Sequence, residues 1–123
     1  DILISNIRPY LKKIWFADKD GGCSKDVLVL RSADANKYLP KYIFYMLRRD
    51  VFFDYVMEGK KGVKMPRGNK EDIMKYKIPM PPHIDEQKRI VSQIEALELE
   101  ITKARTLMES AASEKQAILD KYL

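Results

Sequence analysis

Cysteine and histidine are nearly absent from this sequence, which holds one of each, Cys23 and His83. A lone cysteine cannot form an internal disulfide, and this absence favours a reducing compartment, the cytoplasm. Two such residues are too few for a zinc site. A Cys–His catalytic pair would need a third group to orient it, and none is evident nearby. We therefore expect a buried thiol and a loop imidazole.

Long apolar runs are missing as well, so the sequence predicts no transmembrane helix. No charged segment followed by an apolar one indicates a signal peptide. The sequence begins at Asp1, without a methionine and inside an expected strand, so we expect part of a longer protein. With 123 residues, one small domain and an additional helix are the natural content.

Catalytic motifs are also lacking. No Asp-x-Glu/Asp pair with a nearby lysine indicates a nuclease, and no glycine-rich loop after a strand indicates a nucleotide or methyl-donor pocket. Capping or solvation explains the adjacent carboxylates of Glu71 and Asp72 better than a metal site does. The sequence thus predicts a protein that is not an enzyme and that holds neither a cofactor nor a metal.

The most regular stretch that is present runs from residue 79 to 123. Three prolines end the preceding segment, Asp85 is placed to cap a helix with Glu86 in its first turn, and no proline or glycine follows them. Apolar or small residues then recur at steps of four and three, with Lys115 as the charged member. This series, the C-terminal seam, comprises Ile90, Ile94, Leu97, Ile101, Ala104, Met108, Ala111, Ile118 and Tyr122.

The period of the C-terminal seam is 3.5 residues, which is typical of a coiled coil and predicts a partner helix. Read as one helix, residues 86–123 extend roughly 57 Å. A compact chain of this length has a radius of gyration of only about 14 Å. We therefore expect the helix to protrude, and a terminal helix folded flat on its own domain is the alternative.

Charge is divided unevenly along the chain. Residues 1–85 hold 17 Lys and Arg against 11 Asp and Glu, a net charge of +6, whereas residues 86–123 hold 6 against 7, a net charge of −1. A basic body is typical of a protein that meets a polyanion, and a balanced helix is typical of one that meets protein.

The densest basic segment is Gly59–Lys70, in which five of twelve residues are Lys or Arg and none is acidic. Its glycines allow backbone N–H groups to approach phosphates, and its cations add salt-dependent affinity. The candidate nucleic-acid contacts are Lys60, Lys61, Lys64, Arg67, Asn69 and Lys70, with Arg67 or Asn69 able to reach base edges. A second candidate loop holds Asn6, Arg8, Tyr10 and Lys12. Solvated surface loops are the alternative for both.

Short strands and helices fill the rest of residues 1–82, and the fold class is α+β. Strands are expected at residues 1–5, 26–31 and 76–80, and residues 13–17 form a second apolar stretch with aromatic weight. A helix is expected after Pro40, a second one capped by Asp50, and a short third one capped by Asn69 and ending at Met74. We assign residues 1–82 to a body, with Phe44, Phe52, Phe53 and Tyr55 in its core, and residues 83–123 to the long helix.

Several segments in order resemble the specificity subunit of type I restriction–modification enzymes. They are DILISNIRPYLKKIWFA, GGCSKDVLVLR, YLPKYIFYMLRRDVFFDYVMEGKKGVKMPRGNKEDIMKYKIPMPP, EQKRIVSQIEALELEITKA and ILDKYL. The junction IPMPP followed by EQKRI is the most specific of them. The resemblance implies a partial target-recognition domain at 1–82 and a conserved spacer helix at 83–123.

The resemblance also implies partners. Two recognition domains read a bipartite site in double-stranded DNA, and their paired antiparallel helices set its spacing. Methylation and restriction subunits dock on such subunits and bring the methyl donor, ATP and magnesium. The chain would then pair with a second half of the subunit or with its own copy, which would impose two-fold symmetry and a palindromic site.

Two other functions stay open on the sequence alone. The first is a protein-interaction module in which the helix dimerises and the basic surface is incidental. The second is a standalone nuclease or methyltransferase, which lacks a recognisable catalytic set.

Overall fold

The computed structural model describes residues 1–60 and 62–123. Within these ranges the chain has three β-strands, one 3-10 turn and four α-helices. They are β1 (Ile2–Ser5), the 3-10 turn (Pro9–Leu11), β2 (Ile14–Phe16), β3 (Val27–Leu30), α1 (Pro40–Leu47), α2 (Asp50–Val56), α3 (Lys70–Met74) and α4 (Ile84–Tyr122). The α+β class with a long C-terminal helix is confirmed.

The three strands form one antiparallel sheet in the order β2-β1-β3. Because β1 lies between its two successors, the connection from β2 to β3 crosses the sheet. In register, Leu3 stands opposite Trp15 on one side and Val29 on the other. Successive side chains of a strand point to opposite faces, so these three residues share the outer face. Trp15 and Val29 are 45% and 46% exposed there.

The inner face of the sheet carries the core. Ile2 and Ile4 of β1 are buried against the helices, which contribute Leu47, Phe52, Phe53, Val56 and Ile73. Phe52 is fully enclosed, and its ring meets those of Phe53 and Tyr76 edge to face. Burying one such ring stabilises the fold by about 1.5–3 kcal/mol. The predicted core role of the aromatics is confirmed, because Phe44 and Tyr55 pack against this cluster.

The helix starts follow local chemistry in two of the predicted cases. Pro40 opens α1, where its missing N–H costs nothing. The Asn69 side chain caps α3 by accepting hydrogen bonds from the N–H groups of Glu71 and Asp72, at 2.9 and 3.3 Å. Both predictions are confirmed.

Two predicted caps are wrong. Asp50 is the first residue of α2 rather than its cap, which is Arg49. The Asp50 carboxylate instead accepts a bond from Lys12 at 2.7 Å. Asp85 is the second residue of α4, because the first helical bonds already run to the carbonyl of His83. Its negative charge still stabilises the helix start by its position in the first turn.

The strand predicted at residues 76–80 is wrong, because this segment forms neither a strand nor a helix in the structure. Pro79 lacks the N–H that a ladder requires. The segment is held by side chains instead, since the Tyr42 hydroxyl donates to the Pro79 carbonyl at 2.6 Å. Burial raises the pKa of the Tyr42 phenol, which keeps the donor protonated.

Cys23 is exposed in the connection between β2 and β3, so the prediction of a buried thiol is wrong. His83 is exposed immediately before α4, as expected of a loop imidazole. No described helix combines the length and the apolar character that a membrane span needs.

The chain divides into two compact units, Asp1–Lys88 and Arg89–Leu123. The second unit is the remainder of α4, and its side chains are exposed along most of its length. Members of the C-terminal seam with large apolar exposure are Leu97 (59%), Ile101 (50%), Met108 (72%), Ile118 (61%) and Tyr122 (77%).

Candidate nucleic-acid interface

The two basic loops predicted from the sequence meet in the structure. Ile7 and Arg67 form an isolated antiparallel β-bridge. The Arg8 N–H donates to the Pro66 carbonyl at 2.7 Å, and the Gly68 N–H donates to the Asn6 carbonyl at 2.9 Å. Residues 60 apart in sequence therefore form one backbone unit, which we call the bridge platform, comprising residues 6–8 and 66–69.

Packing beneath the bridge platform is tight. Pro66 is buried, and a Cβ on Gly68 would overlap Asn6 Oδ1 and lie 3.1 Å from Ile73 Cδ1. Glycine is therefore required for the close approach of the two segments. Asn6 Oδ1 is buried, and no described group donates a hydrogen bond to it. Its oxygen thus lies on the inner side of the bridge platform.

Arg67 extends from the bridge platform and is paired. Its Nη1 donates to Asp26 Oδ1 at 2.8 Å, while 57% of the arginine side chain stays exposed. Asp26 is fixed at the start of β3, because its carbonyl accepts from the Asn6 N–H at 2.8 Å and its N–H donates to Ser24 Oγ at 3.1 Å. Sequence reasoning missed Asp26, since no local pattern places it near Arg67.

The 3-10 turn presents the second loop. Arg8 (φ 51°) and Lys12 (φ 54°), which flank the turn, adopt left-handed conformations that are unusual for residues other than glycine. Arg8, Tyr10 and Lys12 are exposed, with Tyr10 at 48%. Such backbone conformations cluster at functional sites, where surrounding contacts hold them. Here the bond from Arg8 N–H to Pro66 is one of those contacts.

Lys12 is held by the Asp50 carboxylate at the start of α2. Its hydrogen bond to Asp50 raises the pKa of Lys12 above its ordinary value, against a smaller effect of burial. The ammonium is therefore charged at neutral pH. Solvent screens an exposed pair of this kind, so Lys12 can exchange Asp50 for another anion at little cost.

The remaining predicted cations differ in how they are held. The Lys60 ammonium donates to the Val56 carbonyl at 3.0 Å and so caps the end of α2. Lys64 and Lys70 are exposed, and the described residues supply no hydrogen bond or ion pair to their ammonium groups. Lys61 lies outside the described residues. Asn69 uses its side-chain oxygen for the α3 cap.

Gln87 is a second residue that sequence reasoning missed, although it lies in the EQKRI segment. Its side chain is fully buried. Its Oε1 accepts from the Leu39 N–H at 2.8 Å, and its Nε2 donates to the carbonyls of Lys37 and Pro81, both at 3.1 Å. The amide thus ties the first turns of α4 to the segment before α1.

Comparisons with known proteins point to one family. The model of the type I restriction modification DNA specificity domain matches residues 1–109. The specificity subunit of the type I restriction enzyme EcoDI from Escherichia coli is 32% identical over 96 residues, which are 78% of this chain and 20% of that subunit. The aligned part is therefore about a fifth of that relative's length. No solved structure matches the chain.

Proposed function

The chain belongs to the type I restriction modification DNA specificity domain family, and from this membership we propose that it recognises one half of a bipartite DNA site. Family membership assigns it to the specificity component and not to a catalytic one. In this proposal residues 1–82 are part of a target-recognition domain. Residues 83–123 are the spacer helix that joins it to the rest of a restriction–modification complex in the cytoplasm.

The single observation that carries the DNA-binding assignment is the β-bridge between Ile7 and Arg67. It places both basic segments on one unit, with Arg8, Lys12, Lys64, Arg67 and Lys70 all exposed around it. Contacts from such cations to phosphate position a protein on the duplex, whereas rigid polar groups read the base edges. The bridge platform supplies the rigid part, and the lysines supply the phosphate contacts.

Salt dependence tests this proposal. The double variant Lys64→Gln, Lys70→Gln removes two cations that stabilise nothing in the described fold. Each phosphate neutralised contributes about −0.9 to the slope of log K against log salt. We expect the magnitude of the slope for a random-sequence duplex to fall by up to about 1.8 units.

The matched control is the double variant Lys103→Gln, Arg105→Gln, which removes the same charge from exposed positions of α4. This control is expected to keep the wild-type slope. An unchanged slope in the Lys64, Lys70 variant, or an equal fall in both variants, would contradict the assignment of the basic surface.

The proposed role of α4 is assembly. Its C-terminal seam exposes large apolar side chains, which favour burial against another helix. The partners we propose are a second half-subunit or copy of this chain, together with methylation and restriction subunits. Methyl transfer and DNA cleavage would then belong to those partners.

The exposed seam also favours the alternative function, a helix-mediated dimerisation module without DNA recognition. Light scattering over a range of concentrations, with Leu97→Asp, Ile101→Asp as the comparison, measures the assembly. A wild-type dimer that dissociates in the variant, combined with a flat salt dependence of DNA affinity, would support the module. The same dimer with a steep salt dependence supports the specificity subunit.

A further inference from the structure

We propose that Arg67 reads a guanine in the DNA target and that Asp26 is the positioning residue that holds its guanidinium for this contact. The inference deepens the proposed function and rests on it. It separates Arg67 from the other cations of the surface, which meet phosphate, and assigns a role to Asp26.

The backbone of Arg67 is the most constrained part of the basic surface. It pairs with Ile7, the preceding Pro66 is buried, and the following Gly68 lies too close to Asn6 and Ile73 to accept a Cβ. Asn69 then begins α3 by capping it. The Cα of Arg67 is therefore fixed on both sides before any DNA arrives, as base reading requires.

The guanidinium is also oriented in advance. The bond from Nη1 to Asp26 Oδ1, at 2.8 Å, takes one of the five N–H donors of the group. The donors on Nε and Nη2 form the opposite edge, and the side chain is 57% exposed. Two parallel donors on one planar edge match the O6 and N7 acceptors of guanine in the major groove.

Asp26 is suited to this positioning role because it is itself held. Its main chain bonds to Asn6 and to Ser24, and its side chain is only 30% exposed. Asp26 is thus held next to the bridge platform, since its carbonyl accepts a hydrogen bond from the Asn6 N–H. The negative charge of Asp26 also neutralises that of Arg67. The pair therefore orients the guanidinium and adds little salt-dependent attraction to DNA.

The neighbouring candidates are less suited to read a base. The Asn69 oxygen accepts two hydrogen bonds in the α3 cap, and it is therefore not available for the paired contact with adenine. Lys64 and Lys70 carry compact charges on flexible stems, which serve phosphates without geometric selection.

The test is selection from a library of DNA duplexes with ten randomised base pairs, using the full chain and sequencing the bound fraction. The wild type is expected to enrich guanine at one position. Arg67→Lys keeps the charge but loses the two parallel N–H donors of the guanidinium. It is expected to lower the preference for guanine at that position alone by roughly tenfold to a hundredfold. Arg31→Lys is the matched control, because Arg31 is also paired with a carboxylate, that of Asp1, but stands apart from the bridge platform.

Asp26 is tested by two variants. Asp26→Ala is expected to lower the guanine preference and, by releasing a cation, to raise the affinity for unrelated duplex at low salt. Asp26→Asn keeps an oxygen that can accept from Nη1 and is expected to retain most of the preference. If Asp26 only stabilised the fold, Asp26→Ala would lower the affinity for guanine-containing duplex and the affinity for unrelated duplex equally. That result would contradict the positioning role.

Three results would overturn the inference in distinguishable ways. An unchanged base profile in Arg67→Lys would make Arg67 a phosphate contact. A wild type that binds duplex without selecting any base would remove the reading role while leaving the basic surface as a DNA contact. A wild type that binds no duplex at all would overturn the proposed function, and the inference with it.

Discussion

The two units of this chain are stabilised in opposite ways. Residues 1–88 bury a core of strand and helix side chains beneath a basic surface. Residues 89–123 form a helix whose large apolar side chains from Leu97 onward remain exposed. An exposed helix draws its stability from local hydrogen bonds and gains more only by burying its apolar stripe. The body thus buries its apolar side chains within itself, whereas the helix leaves its own exposed, which supports the proposed assembly role of α4.

Trp15 makes this comparison measurable. It is the one tryptophan of the chain and lies in β2, so its fluorescence reports on the body. Circular dichroism at helical wavelengths reports largely on α4, which is the longest helix described at 39 residues. A variant that acts on one unit should shift one signal and spare the other.

The largest effect is expected from Phe52→Ala. Removing a fully buried ring costs about 3–5 kcal/mol through lost burial and a residual cavity. Denaturant titration followed by Trp15 should show this loss, while the self-association proposed for the C-terminal seam should be retained. If Phe52→Ala abolished self-association as well as destabilising the body, the two units would not be independent.

The next largest effect is expected from Gln87→Met, which keeps the side-chain volume and removes three hydrogen bonds. The Leu39 N–H and the carbonyls of Lys37 and Pro81 would be left unpaired, for a cost of about 2–4 kcal/mol in the Trp15 transition. Gln93→Met is the control, because Gln93 is exposed on the same helix. Equal effects of the two variants would refute the anchoring role of Gln87.

A smaller effect is expected from Gly68→Ala. The added methyl group meets Asn6 Oδ1 and the side chains of Ile73 and Val56, and overpacking of this kind costs about 1–3 kcal/mol. Weaker DNA binding should accompany the loss, since the bridge platform is displaced. In Gly22→Ala the new Cβ has nothing within 4 Å, so stability and binding should stay at the wild-type level.

The smallest effect is expected from Asn69→Ala, which removes the cap of α3 and costs about 1 kcal/mol. Thermal unfolding of the variants measures this cost. Asn69→Asp restores a side-chain acceptor and should recover most of the stability. A full loss of stability in Asn69→Asp would show that the cap is not what Asn69 contributes.

Much of the fold could be predicted from local patterns. Apolar and β-branched residues located β1 and β3, the apolar stretch at residues 13–17 contains β2, and Pro40 and Asn69 located two helix starts. The predictions that failed depended on contacts across the chain. Asp50 pairs with Lys12 instead of capping α2, and residues 76–80 do not join the described sheet of β1, β2 and β3.

The candidate site was predictable only in part, for the same reason. Composition located the two basic loops, but their meeting depends on a bridge between residues far apart in sequence. The pairing of Arg67 with Asp26 has no local signal, because an acidic residue before a strand has many alternative partners. The DNA contacts and the seam residues stay predictions.

The most direct test of the central claim, that the body meets DNA and the helix meets protein, is hydrogen exchange of the full chain with and without a random-sequence duplex. We predict slower exchange in peptides covering residues 6–12 and 62–70 and no change in peptides covering residues 97–123. Protection confined to α4, or none in either region, would contradict the account.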